Sequence, residues 1–177
     1  MARETDDMTL KTDRLHLRPL QKEDEDWFLE LNGSPFVRKY LWDDQVIDRE
    51  TGIQIINQSQ ASFQQRRYGL WKIQRQSDQS AVGYVGLWFF FDEDWPQLLY
   101  ALQQDFAGQG YASEAAQAVV GYALDQLHFP YLLAAMDTPH FASQLVAKRL
   151  GFVFIEERIV EGKPTLFFRK DGNQAKG

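Results

Sequence analysis

The chain has no cysteine, only three histidines, and no apolar run near the roughly 20 residues that span a bilayer. Without cysteine there is no disulfide, no thiolate nucleophile and no cysteine-held metal, and nothing points to an oxidising compartment. The charged opening Met1-Ala2-Arg3-Glu4-Thr5-Asp6-Asp7 has no apolar segment behind it. No signal peptide or membrane partner is therefore expected, and the chain reads as cytoplasmic. Basic residues are outnumbered, 19 against 25 acidic, for a net charge of −6, which argues against nucleic acid as a partner. No G-x-S-x-G elbow is present, no G-K-[S/T] follows the glycines, and no His/Glu cluster has metal-ligand spacing. Serine-hydrolase, P-loop and metal chemistry are thereby set aside. No repeat and no linker divides the chain, so 1–177 is expected to be one domain with an ordered core over about 10–170.

What remains is apolar enough to fold, at 44% hydrophobic and 14% aromatic. The organising stretch is Asp105 to Ala115. An apolar run, Leu98 to Leu102, precedes it and reads as a buried strand. Ala112, Ala115, Ala116, Val119, Val120, Ala123, Leu124 and Leu127 follow at helical spacing. Gly108 and Gly110 thus occupy a strand-to-helix turn. There the backbone adopts positive φ without a Cβ penalty, and the helix's unpartnered first amides with its dipole attract an anion, most naturally a phosphate.

Elsewhere, Met1–Leu10 read as a loose polar terminus. Arg14–Leu20 alternate as a half-buried strand, and Gln21–Leu31 form a helix with an acidic first turn, stopped by Gly33 and Pro35. Phe36–Asp44 read as an aromatic connection and Ile47–Arg67 contain a second helix. Tyr68–Arg75 and Ala81–Phe91 read as strands joined by a turn at Ser77–Ser80, and Asp92, Glu93 and Asp94 as a loop. Tyr131–Met136, apolar throughout, belong in the middle of a covered sheet. Thr138-Pro139 predict a helix start, threonine as cap and proline first, with Ala142, Leu145, Val146 and Leu150 buried and Gly151 as the stop. Val153–Val160 and Pro164–Arg169 are expected strands, and the tail from Asp171 is expected to fray.

Four pieces in order resemble the GNAT superfamily of N-acetyltransferases, in its ribosomal-protein (RimJ/RimL-type) branch. They are Thr12-Asp13-Arg14-Leu15-His16-Leu17-Arg18-Pro19-Leu20, Gly83-Tyr84-Val85-Gly86-Leu87, Tyr100 through Ala115, and Ala142-Ser143 with Lys148-Arg149-Leu150-Gly151-Phe152. The resemblance covers roughly Leu10 to Lys170. It implies an α+β (α/β) fold, the acyl-CoA N-acyltransferase fold, with a mixed, mostly antiparallel sheet of about seven strands and about four helices on its faces. Two parallel strands, one ending near Gln104 and the other Tyr131–Met136, would splay to admit the pantetheine arm of acetyl-CoA. The implied cofactor-binding residues are Phe106, Ala107, Gly108, Gln109, Gly110, Tyr111 and Ala112, with Leu102, Gln103 and Gln104 before them and His140 and Ser143 opposite. The implied partners are acetyl-CoA and an amine acceptor, a peptide N-terminus or a small amine, for a monomer or homodimer without nucleic acid. A non-catalytic CoA-binding regulatory domain is the alternative.

Three positions depart from the family pattern. Asp105 stands where arginine or glutamine is usual, His140 where asparagine is frequent, and Gln97 where many members carry glutamate. Acetyl transfer to an amine needs the thioester held, its oxyanion stabilised, the ammonium deprotonated and the thiolate protonated. With Gln97 unable to act as a base, the expected catalytic residues are His140 and Asp137 for the amine proton and Ser143 for the thiolate. Trp42, Trp88 and Trp95 are expected to border the acceptor groove.

Overall fold

The computed structural model describes residues 8–173. Residues 1–7 of the expected loose terminus Met1–Leu10 and residues 174–177 of the tail expected to fray from Asp171 lie outside them. Eight strands form one sheet: β1 (Leu10–Lys11), β2 (Leu15–Pro19), β3 (Leu70–Arg75), β4 (Ala81–Trp88), β5 (Gln97–Leu102), β6 (Tyr131–Asp137), β7 (Val153–Val160) and β8 (Lys163–Asp171). Their order is β1-β2-β3-β4-β5-β6-β8-β7, antiparallel throughout except between β5 and β6. The extra strand over the family expectation is β1. It pairs Leu10 with Leu17, and the Trp71 indole donates to the Met8 carbonyl at 2.6 Å, so the segment from Met8 is tied down rather than loose.

Five α-helices cover the sheet among the described residues: α1 (Glu25–Gly33), α2 (Pro35–Leu41), α3 (Arg49–Arg66), α4 (Tyr111–Gly121) and α5 (Phe141–Arg149). Side-chain alternation on β5 assigns them to opposite faces. Leu98 and Leu102 join the core beneath α4 and α5. Leu99 and Ala101 join the core beneath α1, α2 and α3, with Leu20, Phe28, Val37, Ile56, Leu70 and Tyr84.

Three sequence expectations are corrected. Phe36–Asp44 is not a plain connection, because Ser34 caps α2 by accepting from the Val37 amide and Pro35 takes the first helical position. The Ser-Pro pair that ends one helix begins the next. Helix α5 starts at Phe141, not at Pro139. The His140 amide donates to the Asp137 carbonyl at 2.9 Å, closing a turn first, and the Thr138 hydroxyl donates to the Pro164 carbonyl instead of capping. Its buried face is Ser143, Val146, Ala147 and Leu150, whereas Leu145 is 54% exposed. Two overlapping apolar stripes run along this helix, and the buried one carries a serine.

Two buried polar hubs hold the α1 face. Asn32 donates to the Phe28 carbonyl, and its Oδ1 accepts from the Trp42 indole at 2.8 Å and the Tyr84 phenol at 2.7 Å. Asp24 accepts both guanidinium nitrogens of Arg18, the Lys72 ammonium and the Gln21 amide. Burial alone would raise its pKa, but these donors overcome that and hold the carboxyl down at about 2. Asp24→Asn leaves two cations without their buried partner and is expected to cost about 3 kcal/mol in urea unfolding. Because the folded pKa lies below the unfolded one, the carboxylate's contribution is full above the ordinary carboxylate range and is lost as pH falls toward 2. The variant should therefore lack that part of the acid-induced loss of stability.

Candidate active site

The glycine turn is built from both sides. After β5 the chain makes a short 3₁₀ turn over Gln104–Phe106, then passes Gly108 (φ 74°) and Gly110 (φ 82°) into α4. The first bond of α4 runs from the Glu114 amide to the Gly110 carbonyl at 3.0 Å, so the amides of Tyr111, Ala112 and Ser113 precede it without a helical acceptor. Arg14, in the bend just before β2, pins the turn. Its guanidinium donates to the Gln109 carbonyl at 3.0 Å, lies 4.3 Å from the Tyr111 ring centroid and pairs with Glu114 at 2.7 Å. Glu114 also accepts from the Thr12 hydroxyl and the Arg14 amide. Burial opposes its charged form, but these donors prevail and lower its pKa. Glu114 is thus a buttress that joins the first strands to the glycine turn, a role its place in a helical first turn does not disclose. Asp105 is exposed and lies outside the residues that line the cleft.

Beyond this turn the sheet opens. Strands β5 and β6 share a single paired register, Gln97 with Leu133, and then diverge. Gln97 itself is 1% exposed. Its Oε1 accepts from the Phe90 amide at 2.8 Å and its Nε2 donates to the Trp95 carbonyl at 2.7 Å, locking the β4–β5 loop at the point of divergence. The gap is a cleft of about 890 Å³ running through the sheet. Leu102, Ala107, Gly108, Gly110, Tyr111 and Ala112 border it at one end. Gln103, Gln104, Phe106 and Gln109 stand outside its lining. Phe106 instead packs on Tyr111, with the Arg75 guanidinium over its other side.

Asp137, His140 and Ser143 all line the cleft. The Ser143 Oγ accepts from the Tyr100 phenol at 2.9 Å and lies 3.3 Å from His140 Nε2. The His140 ring stacks on Tyr40 of α2, with centroids 4.0 Å apart and planes 4° from parallel. Burial lowers the His140 pKa below its ordinary 6.5, against Asp137, which raises it, and with Lys39, which lowers it further. The imidazole is therefore neutral at pH 7 and free to accept a proton. Burial pushes the Tyr100 phenol up to about 12, against its bond to Ser143, so it remains a donor. Tyr100 was not among the sequence candidates. The available signal was a lone hydroxyl inside an apolar strand, which must find a partner when buried.

The tryptophans do not border the cleft. The Trp42 indole is held by Asn32, Trp95 packs on Phe129 with centroids 4.7 Å apart, and Trp88 packs on the α1-side core. Phe36, Tyr40, Phe90, Phe91 and Phe141 line it instead, beside Tyr100 and Tyr111. Glu93 accepts from Arg158 of β7 at 2.5 Å, so the acidic loop is braced across the sheet. Among the described residues, no three His, Asp or Glu side chains gather as a metal site requires, and no helix is long and apolar enough to cross a membrane.

A single parallel register opening into a cleft, with a glycine turn and helix N-terminus at its end, is the arrangement the sequence resemblance implied. The family model for the acetyltransferase (GNAT) domain matches residues 14–153. The chain belongs to the GNAT acetyltransferases. An uncharacterized N-acetyltransferase of Bacillus licheniformis, p20, is 28% identical to this GNAT enzyme over 148 residues, 81% of this chain and 82% of that one. An acetyltransferase structure from Agrobacterium tumefaciens shares the fold with a TM-score of 0.80 at 24% identity, covering 92% of this chain and 93% of that one. RimL, the ribosomal L7/L12 alpha-N-protein acetyltransferase solved with coenzyme A, shares it at a TM-score of 0.77 and 16% identity, covering 93% and 98%.

In this GNAT enzyme the Gly110→Val substitution places a β-branched residue at φ 82°, with Arg14 3.4 Å from the new Cβ. The folded variant is expected to bind acetyl-CoA about 10-fold or more weakly by calorimetry. Asp105→Gln, at an exposed carboxylate outside the cleft's lining, should leave the affinity within about twofold. Equal affinities for both variants would remove the glycine turn from coenzyme binding.

Proposed function

We propose that this enzyme transfers the acetyl group of acetyl-CoA directly to a primary amine, a peptide N-terminus or a small-molecule amine. The observation that carries the reading is the hydrogen-bonded set Tyr100, Ser143 and His140 lining a cleft that the glycine turn and the first amides of α4 also border. The residues present suit the coenzyme. The α4 amides suit its pyrophosphate, and the β5 edge left unpaired beyond Gln97 suits the amides of its pantetheine arm. Bound there, acetyl-CoA supplies the thioester carbon that the amine attacks. Likeness to RimL, and to a putative ribosomal-protein-serine acetyltransferase from Vibrio cholerae with a TM-score of 0.72, supports placing the chain near the ribosomal-protein branch.

The proton has to move from nitrogen to sulfur. His140, kept neutral by burial, takes it from the amine, directly or through water shared with Asp137. Ser143 gives one to the departing thiolate and is reprotonated from His140, whose Nε2 lies 3.3 Å from its Oγ, so both side chains return to their starting state. Tyr100, whose only proton is committed to the Ser143 Oγ, fixes that hydroxyl so that its own hydrogen is free to point elsewhere. Gln97 takes no part in proton transfer, since both ends of its amide are occupied.

Acetyl-CoA consumption measured by thiol release tests the reading. His140→Ala is expected to lower kcat by about 10²–10⁴-fold while acetyl-CoA affinity changes far less. Because the His140 pKa is lowered, its base form prevails above pH 6.5, and wild-type kcat/KM should fall only in more acidic solution. The variant should lose that limb. Full turnover with an unchanged pH profile would mean that the amine attacks already neutral, with no side-chain base. Tyr100→Phe is expected to lower kcat by about 10-fold with the KM for acetyl-CoA unchanged, as for loss of one positioning hydrogen bond. A parallel rise in that KM would assign Tyr100 to coenzyme packing instead.

A further inference from the structure

We infer that the acceptor is a primary amine borne on an apolar, ring-bearing group, an inference that rests on the acetyltransferase reading above. The cleft connects two faces of the sheet. Its α4 end carries the anion site, so the acceptor has to approach from the α2 face. That face is walled by Phe36 and Tyr40 of α2 and by Phe90 and Phe91 of the β4–β5 loop. Phe36 is 44% exposed and Phe90 45% exposed. Phe141, 71% exposed and next in sequence to His140, adds a third wet ring to the same cleft.

Rings left in water around a reactive centre are what an apolar ligand covers. A polyamine or aminoglycoside laid there would strip water from ammonium and hydroxyl groups and find phenyl faces in return, which costs free energy. The charged groups at this rim do not reverse the preference. Asp43 of the α2–α3 connection is paired with Lys163 at the β7–β8 turn, and each satisfies the other. Glu161 and Asp137 add negative charge beside them, which accepts an arriving ammonium and repels an acceptor carrying a carboxylate. The shared chemistry is an amine a few bonds from an aromatic ring, with no acid group nearby. Its source is either a small arylalkylamine or a peptide whose first residue is aromatic.

The experiment compares kcat/KM at saturating acetyl-CoA for phenethylamine, propylamine, spermidine, kanamycin, and two peptide amides beginning with Phe and with Asp. Phenethylamine or the Phe peptide should exceed propylamine, spermidine, kanamycin and the Asp peptide by about 10-fold or more. Whichever of the two is favoured identifies the source. Phe90→Ser should raise the KM for the favoured amine about fivefold, leaving the KM for acetyl-CoA in place, while Phe90→Tyr, which keeps the ring, should retain the preference. Phe36→Ser should act as Phe90→Ser does, and both positions are exposed enough for the fold to tolerate serine. Transfer to amines without preference for a ring, or a preference that survives both serine variants, overturns this inference alone. No transfer to any amine overturns the acetyltransferase reading as well.

Discussion

Everything at this site depends on one place where a β-sheet stops being a sheet. Strands β5 and β6 lie side by side in the middle of eight, where backbone groups are normally paired on both sides, yet they share one register at Gln97 and Leu133. The parting needs a pivot that does not unzip further. Gln97 supplies it, because its buried amide takes up the backbone of the β4–β5 loop on one side and of Trp95 on the other. An ionised glutamate in the same pocket could accept the Phe90 amide but could not donate to the Trp95 carbonyl. The residue that departs from the family's usual acid is therefore a brace, and the proton work moves to β6 and α5.

The second requirement is rigidity at the far end of the parting. A turn with two left-handed glycines would wander without an anchor. The Arg14–Glu114 pair provides one, linking the bend before β2 to the first turn of α4 across about a hundred residues of sequence. Thr12 and the Arg14 amide occupy the second carboxylate oxygen, so the anchor is held in one geometry rather than left as a loose surface pair. Positive charge at the turn is in turn spent on Glu114, Tyr111 and the Gln109 carbonyl. The backbone amides, and not a free arginine, are what the turn presents to a ligand.

Much of this was legible in the sequence. The glycine turn, the α4 face and the central burial of Tyr131–Met136 follow from periodicity and from glycine alone, because each is set by local chemistry. The splay was supplied by resemblance, since pairing between distant strands leaves no mark on either. Errors fell where a local signal had two readings. Ser34-Pro35 served as stop and start, Thr138-Pro139 lost its capping role to the bond between the Thr138 hydroxyl and Pro164, and α5 offered two apolar stripes. Tyr100 and Glu114 escaped for a different reason. Each is defined by a partner more than 40 residues away, and in single-sequence terms each looks like packing or helix decoration. The tryptophans show the converse: large rings drew attention, but their bulk was needed by the core and by Asn32.

Asn32 sets where the acceptor side of the cleft is anchored. One oxygen receives both the Trp42 indole, just past α2, and the Tyr84 phenol on β4. That buried amide joins the end of the α2 segment to the sheet, beside the Val37 packing and the Tyr40–His140 stack, whereas the glycine turn is secured separately by Arg14. Descendants of this chain are free to rewrite Phe36 or Phe90 while leaving that anchor and the coenzyme end untouched, whereas Tyr40 is tied to His140 by its ring stack. The two halves of the cleft are independently editable, so new acceptors can be acquired by drift on one face of the sheet without renegotiating the donor on the other.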